Sequence, residues 1–348
     1  MSFEIRTRFG ANGWLRASLV AVVVCQVAGS SVPVSAQVGA QSSDALTVLE
    51  IKPNIYMIAG AGGNVVVHIG AGGVVVTDTG RAETADALLG AIKRLTPRPI
   101  RYIINTSADA DHVGGNATLS AAGQPIVPAG YRREGFVDRD FAPILAEESV
   151  LTRMSAPTGK QAPYPAAAWP TSTYSAAIGE RQRKLVLNGE AIQIMYQPAA
   201  HTDGDSLVYF RRSDVLMTGD VFDVTRFPVI DLDKGGSIQG VLDSLNRILE
   251  MTFSPTPFPY QEDGTLIVPG HGRLCTTTDV VDYRDMVSII RDRIDDLIKK
   301  GKTLEEIQQA DPTAGYRRQY GSETGAWTTR MFVEAIYKSL TVQGGARK

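Results

Sequence analysis

Asn105-Thr106-Ser107-Ala108-Asp109-Ala110-Asp111-His112-Val113-Gly114-Gly115-Asn116 is the stretch on which the reading of this chain turns. The β-rich run Ile100–Asn105 leads straight into it, so its polar cluster stands at the carboxyl end of a predicted strand. Loops in that position are free to point side chains into a cleft. The chain has only four His, and two others sit in the same kind of setting: His201 in His201-Thr202-Asp203-Gly204-Asp205, and His271 in Pro269-Gly270-His271-Gly272. Asp220 closes a further predicted strand in Thr218-Gly219-Asp220. Imidazoles and carboxylates converging from strand ends are the donors that a borderline-soft cation such as Zn²⁺ needs, with one position left open for water. Taken singly, His201 or His271 reads as a hydrogen-bonded loop histidine; their coincidence with Asp111, His112 and Asp220 points to a catalytic metal site.

The surrounding pattern is α/β. Ile51–Ile58, Asn64–Ile69 and Val74–Asp78 read as hairpin-linked strands punctuated by glycine turns. Apolar residues at Ala85, Leu88, Leu89, Ile92 and Leu95 mark an amphipathic helix over 82–95, ended by Pro97 and Pro99. Tyr131–Glu190 reads as a helical piece followed by a long loop. Its Tyr164 and Trp169, with Phe136 and Phe141, either wall a substrate pocket or cover the sheets. Strands are predicted again at 184–187, 191–196, 206–210, 215–218 and 265–268, with a helix over Ile238–Met251. From about residue 280 the chain turns helical, and Thr303-x-x-Glu306 is a capping box opening another helix.

Asn105-Thr106-x-x-x-x-Asp111-His112-x-Gly114-Gly115-Asn116, followed in order by His201-Thr202-x-Gly204, Thr218-Gly219-Asp220 and Pro269-Gly270-His271-Gly272, resembles the ligand motifs of the metallo-β-lactamase superfamily over residues 46–275. The resemblance implies a four-layer αββα sandwich with a one- or two-metal site at the sheet edge. It also implies a departure, because Ser107 and Asp109 stand where the family's H-x-H-x-D-H motif has its two leading His. The first site then keeps His201, can use Asp109 and shares Asp220, whereas the second keeps Asp111, His112, His271 and Asp220. Losing an imidazole ligand costs at least the 10 to 100-fold in affinity that an outer-shell partner is worth, so the second site is expected to bind more tightly. Three outcomes stand open: one metal at the intact site, two with Asp109 as a ligand, or a site that no longer catalyses. Zn²⁺ is the expected ion, with Mn²⁺ or Fe²⁺ favoured where Asp109 adds a hard oxygen. A bound ion would lower the pKa of its water toward about 7 and polarise a carbonyl, with Asp109 or Asp111 as general base.

Residues 1–36 read as a secretory signal: Arg6, Arg8 and Arg16 precede the apolar run Ala17–Val24, and Val34-Ser35-Ala36 supplies the small residues of a cleavage site. That run is too short to span a bilayer, so no stable membrane insertion is expected after its removal. The remaining 37–348 read as a single domain in the periplasm or outside the cell. Removing three Arg and one Glu leaves the net charge at −4, with no basic run, which argues against a nucleic-acid partner and for a small-molecule substrate. The reading is an exported metal-dependent hydrolase acting on a cyclic amide or ester such as a β-lactam or lactone. The alternatives are a glyoxalase II-like thioester hydrolase and a non-catalytic binding protein that keeps the fold. Ser107 as nucleophile lacks a neighbouring Lys or His to activate it. Cys275 reads as a small buried thiol, His68 as a strand residue, and Asp203, Asp205 and Asp223 as turn or supporting groups.

Overall fold

Val65-Val66-Val67 and Val74-Val75-Val76 have no polar alternation, and all six are fully buried, so both faces of the sheet they build are covered. A computed structural model describes residues 46–126, 141–156, 163–176, 179, 181–254 and 264–345. The predicted signal at 1–36 and Phe136 lie outside these. The chain opens with an antiparallel meander of β1 (Thr47–Lys52), β2 (Ile55–Ala61), β3 (Gly63–Gly70) and β4 (Gly73–Thr77). Helix α1 (Ala85–Leu95) crosses to β5 (Ile100–Ile104), parallel to β4. After α2 (Ala110–Val113) and α3 (Asn116–Ala121), strand β6 (Ile144–Glu147), helix α4 (Glu148–Ser155) and strand β7 (Ser172–Tyr174) extend the sheet to seven strands in sequential order. The second sheet holds β8 (Gln182–Leu187), β9 (Glu190–Gln197), β10 (Asp205–Phe210) and β11 (Val215–Met217), all antiparallel. Helix α5 (Ile238–Met251) leads to β12 (Leu266–Val268), which lies parallel to β11 at the edge. Helices α6 (Thr277–Lys299), α7 (Leu304–Gln309), α8 (Arg317–Tyr320) and α9 (Thr329–Gly345) follow.

The period-two alternation sorts these strands into layers. Val66, Val75 and Ile104 face Ile192, Ile194, Val208 and Phe210 between the sheets. Their neighbours Val65, Val67, Val74 and Val76 turn the other way, onto Leu88 and Ile92 of α1 and Leu119 of α3. Leu207, Leu216 and Ile267 turn outward from the second sheet against Leu245, Val287, Ile290 and Phe332 of α5, α6 and α9. The result is the αββα sandwich. An isolated helix of eleven residues is marginal in water, so α1 depends on burying Leu88 and Ile92, each worth about 1.5–3 kcal/mol. Because β4 and β5 run parallel, as do β11 and β12, Asp78, the 106–112 segment, Asp220 and Gly270-His271 all leave strand ends, while His201 sits in the β9–β10 connection. Among the described residues no helix is long and apolar enough to cross a membrane.

Three expectations need correction. The strand over 51–58 is two strands, broken at Pro53-Asn54, where proline lacks an N–H and Asn54 takes φ 64°. The stretch 131–190, expected as a helical piece followed by a long loop, contains in its described parts the strands β6 and β7, one on either side of α4. Strands of three or four residues are too short to show a period, which is why only their parallel pairing reveals them. Asp111 and His112 lie on the one-turn helix α2 rather than in an open loop.

Candidate metal centre

Asp111, His112, His271 and Asp220 converge at this edge. His112 Nε2 lies 3.2 Å from Asp220 Oδ1, and His271 Nε2 lies 3.4 Å from both Asp220 Oδ1 and Asp111 Oδ2. Ligand atoms held tetrahedrally about 2.0–2.1 Å from a zinc ion stand about 3.3–3.4 Å from one another. The spacing is therefore that of donors sharing an ion. His112 Nε2 and Asp220 Oδ1 are also buried without any aligned hydrogen-bond partner. Buried polar atoms are nearly always partnered, and one cation among these four side chains would satisfy both orphans. The residues fit a divalent ion.

The surrounding structure fixes each donor. Asp78 follows β4 with φ 60°, a strained conformation for a residue other than glycine, and is fully buried. It accepts from Thr106 N at 2.8 Å, from Thr106 Oγ1 at 2.7 Å and from His112 Nδ1 at 2.7 Å. A carboxylate on one imidazole nitrogen orients the ring and leaves the other for a metal. Asn105, Asn116 and Thr79 form a buried amide network behind α2, with Thr79 Oγ1 also donating to the His112 carbonyl. The Asn64 side chain donates to the Pro269 and Gly272 carbonyls at 2.9 and 3.0 Å, tying the His271 loop to β3. Burial opposes the charged forms, but the ring faces two carboxylates, so His112 is held well above the usual histidine range. Burial likewise raises Asp220, yet the three imidazoles around it bring its carboxyl far below the usual range.

Asp109, His201 and Asp220 also offer donors within 4.8 Å of one another, but they are arranged differently. His201 donates from Nδ1 to the Val229 carbonyl at 2.9 Å and from Nε2 to Asp109 Oδ2 at 2.7 Å. The second distance is a direct hydrogen bond and leaves no gap for an ion. The other oxygen, Asp109 Oδ1, accepts from Lys234 Nζ at 2.6 Å, and the same ammonium lies 3.1 Å from Asp231 Oδ2. Burial alone would depress His201, but the bond and charge of Asp109 lift it to about 10. These donors, as arranged, do not fit a second ion.

All six candidate ligands of the sequence reading thus lie in one cluster. Asp205 accepts from Thr202 N and Oγ1, Asp203 pairs with Arg153, and Asp223 holds Thr225 and Arg226, so these three serve their turns. Cys275 is buried, and burial pushes its thiol up to about 12. His68 packs edge-on to Phe210 between strands. Ser107 accepts from Asp109 N at 3.3 Å, shaping the turn. Tyr164 and Trp169 cover Val113, Val150 and Met154 behind α2. Two residues were missed. Asp78 could have been found from Asp78-Thr79-Gly80 at a strand end; Lys234, in a polar loop of common residues, carries no sequence signal.

Structural neighbours share the fold at low identity. The stereoselective inverting sec-alkylsulfatase from Pseudomonas sp. matches with a TM-score of 0.60 and 18% identity, over 84% of this chain and 50% of that one. The chain therefore spans half the length of that neighbour. A metallo-beta-lactamase from Pontibacter korlensis matches with a TM-score of 0.51 and 15% identity, over 70% of this chain and 99% of that one. The family model of the metallo-beta-lactamase superfamily matches residues 58–271, more than half of the sequence, from within β2 to His271. On that match, the chain belongs to the metallo-beta-lactamase superfamily.

Proposed function

We propose that the protein is an exported metal-dependent hydrolase that opens a cyclic amide or ester, of the β-lactam or lactone kind, with a divalent cation held by Asp111, His112, His271 and Asp220. The observation that carries this reading is the ion-sized spacing of those four side chains around two orphaned buried atoms. A cation bound there supplies acidification of water and polarisation of a carbonyl oxygen. The chain's own residues do the rest. Asp78 holds the His112 ring, and Asn64 holds the loop that carries His271. Asp111, with a fifth of its side chain exposed, can accept the proton of the attacking water; Asp109 cannot while both its oxygens are engaged. Asp111 is therefore the general base in this reading, and Asp109 a holding group.

The test is turnover of a panel of chromogenic β-lactams, lactones and thioesters by the chain lacking residues 1–36, with Zn²⁺, Mn²⁺ or Fe²⁺ added. A secondary alkyl sulfate belongs in the panel because the Pseudomonas neighbour is a sec-alkylsulfatase. Turnover abolished by His271→Ala supports the hydrolase. Ion binding without turnover of any substrate would favour a binding protein that keeps the fold. Export is tested on the expressed full chain, whose processed form is expected to begin at Gln37.

A further inference from the structure

We propose that Lys234 serves as a permanent cation in the place of a second metal ion, so that the protein works with a single ion; this rests on the quartet assigned above. The ammonium is built into the site rather than draped over it. Lys234 ends a short 3-10 turn, Leu232–Lys234, and the residue that caps the turn, Asp231, accepts from the Lys234 backbone N–H at 3.0 Å. On the other side the Lys234 carbonyl accepts from Asp203 N at 2.9 Å and from Arg153 at 2.9 Å. The backbone is thus clamped from both directions, and the side chain delivers Nζ to within 2.6 Å of Asp109 Oδ1 and 3.1 Å of Asp231 Oδ2.

Spacing separates the two halves of the centre. Around the quartet, three of the donor pairs stand 3.2–3.4 Å apart, as ligands of one ion do. Across the other half, Asp109 and His201 are already in direct contact at 2.7 Å, and the remaining oxygen of Asp109 belongs to Lys234. A second ion would have to break both bonds and then sit beside a fixed ammonium. The Lys234 ammonium, held at 2.6 Å from Asp109, would also repel a second dication in that half-buried site.

The experiment compares the wild-type chain lacking residues 1–36 with its Lys234→Met variant, and with Lys234→Gln should the first not fold. Each is equilibrated with excess Zn²⁺, freed of unbound metal and analysed for ions per chain. Thermal unfolding is recorded with chelator and with Zn²⁺. The expected result is one ion in the wild type and two in the variant. The chelated variant should unfold at a lower temperature than the chelated wild type, and Zn²⁺ should recover that loss. Two ions in the wild type, or one in a folded variant, overturns the proposal. An ion that survives His271→Ala refutes the quartet and the proposal with it. The expected one-to-two change in a protein that turns over no substrate supports the role of Lys234 while refuting the hydrolase reading.

Discussion

Gly270→Ala tests whether Asp220 is a ligand where the structure places it. A Cβ at residue 270 would stand 2.2 Å from Asp220 Oδ1 and 2.8 Å from the Gly219 carbonyl carbon, where ordinary contact begins at 3.4 Å. The carboxylate oxygen must then withdraw by about 1.2 Å, which takes a ligand from about 2.0–2.2 Å out beyond 3 Å and so off the ion. Losing a mere orienting partner costs about 10 to 100-fold in metal affinity, so a loss of at least 100-fold, or about 2.7 kcal/mol, is expected here. Crowding against the Gly219 backbone adds about 1–3 kcal/mol of destabilisation, within the roughly 5–15 kcal/mol a domain of this kind has in hand. The chain should therefore still fold. Zn²⁺ affinity is measured by competition with a chelating dye, at a temperature where the variant keeps the wild-type circular dichroism spectrum. Gly90→Ala on α1 is the control, since its Cβ meets only Arg94 at 3.5 Å; affinity should hold, and stability should rise by about 0.5–1 kcal/mol. Wild-type affinity in a folded Gly270→Ala protein would refute the assignment of Asp220.

Other consequences can be measured on the same material. Asn64→Ala strips two buried bonds from the Pro269 and Gly272 carbonyls, and should cost about 1–3 kcal/mol in chemical denaturation together with a loss of metal affinity. In chelator-treated protein, His201 titrates near 10 against 6.5 for the free side chain, so its stabilising contribution is complete below pH 6.5 and is lost as pH rises through 10. Melting temperature should fall over that window, and less steeply in Asp109→Asn. Because His112 is held well above the usual histidine range, ion binding must displace its proton. Apparent Zn²⁺ affinity should accordingly rise with pH, and calorimetry in two buffers should register proton release. Cys275, fully buried and with its thiol raised to about 12, should not react with a thiol reagent at pH 8 until the chain is unfolded.

The parts of this protein that were legible in its sequence are those where local chemistry is dense. Asp111-His112, His201, Asp220 and His271 each sit among turn residues at a strand end, and the valine triplets of β3 and β4 announce a sheet covered on both faces. The α5 helix was readable to its ends because Ser237 caps it and seven of its residues are buried on one side. What escaped depends on long-range pairing or on a side chain's reach. β6 and β7 have four and three residues, and exist as strands only because β5 lies alongside to pair with β6, and β6 with β7. Asp78 ended a predicted strand, but its left-handed backbone, which turns the carboxylate onto His112, is set by Thr106 across the sheet. Lys234 lies 125 residues from Asp109 in sequence and reaches it through a flexible stem, which no local pattern records.

The two halves of the centre also differ in how they can respond to their surroundings. Around the quartet the carboxylates face imidazoles, whose ring nitrogens can take a metal ion in place of a proton. At Asp109 the opposing group includes an ammonium, and burial, which would lower its pKa, is outweighed by Asp109 and Asp231, which hold it above the usual lysine range and so charged at neutral pH. Exchange of proton for metal is thus confined to one half, while the other keeps its charge whether or not an ion is bound. If a single ion is held as proposed, the chemistry of the cleft depends on the occupancy of the position between His112 and His271. It also explains how Asp109 can stand where a histidine ligand is expected without leaving an unneutralised carboxylate in a half-buried site: the compensating charge comes from the chain itself.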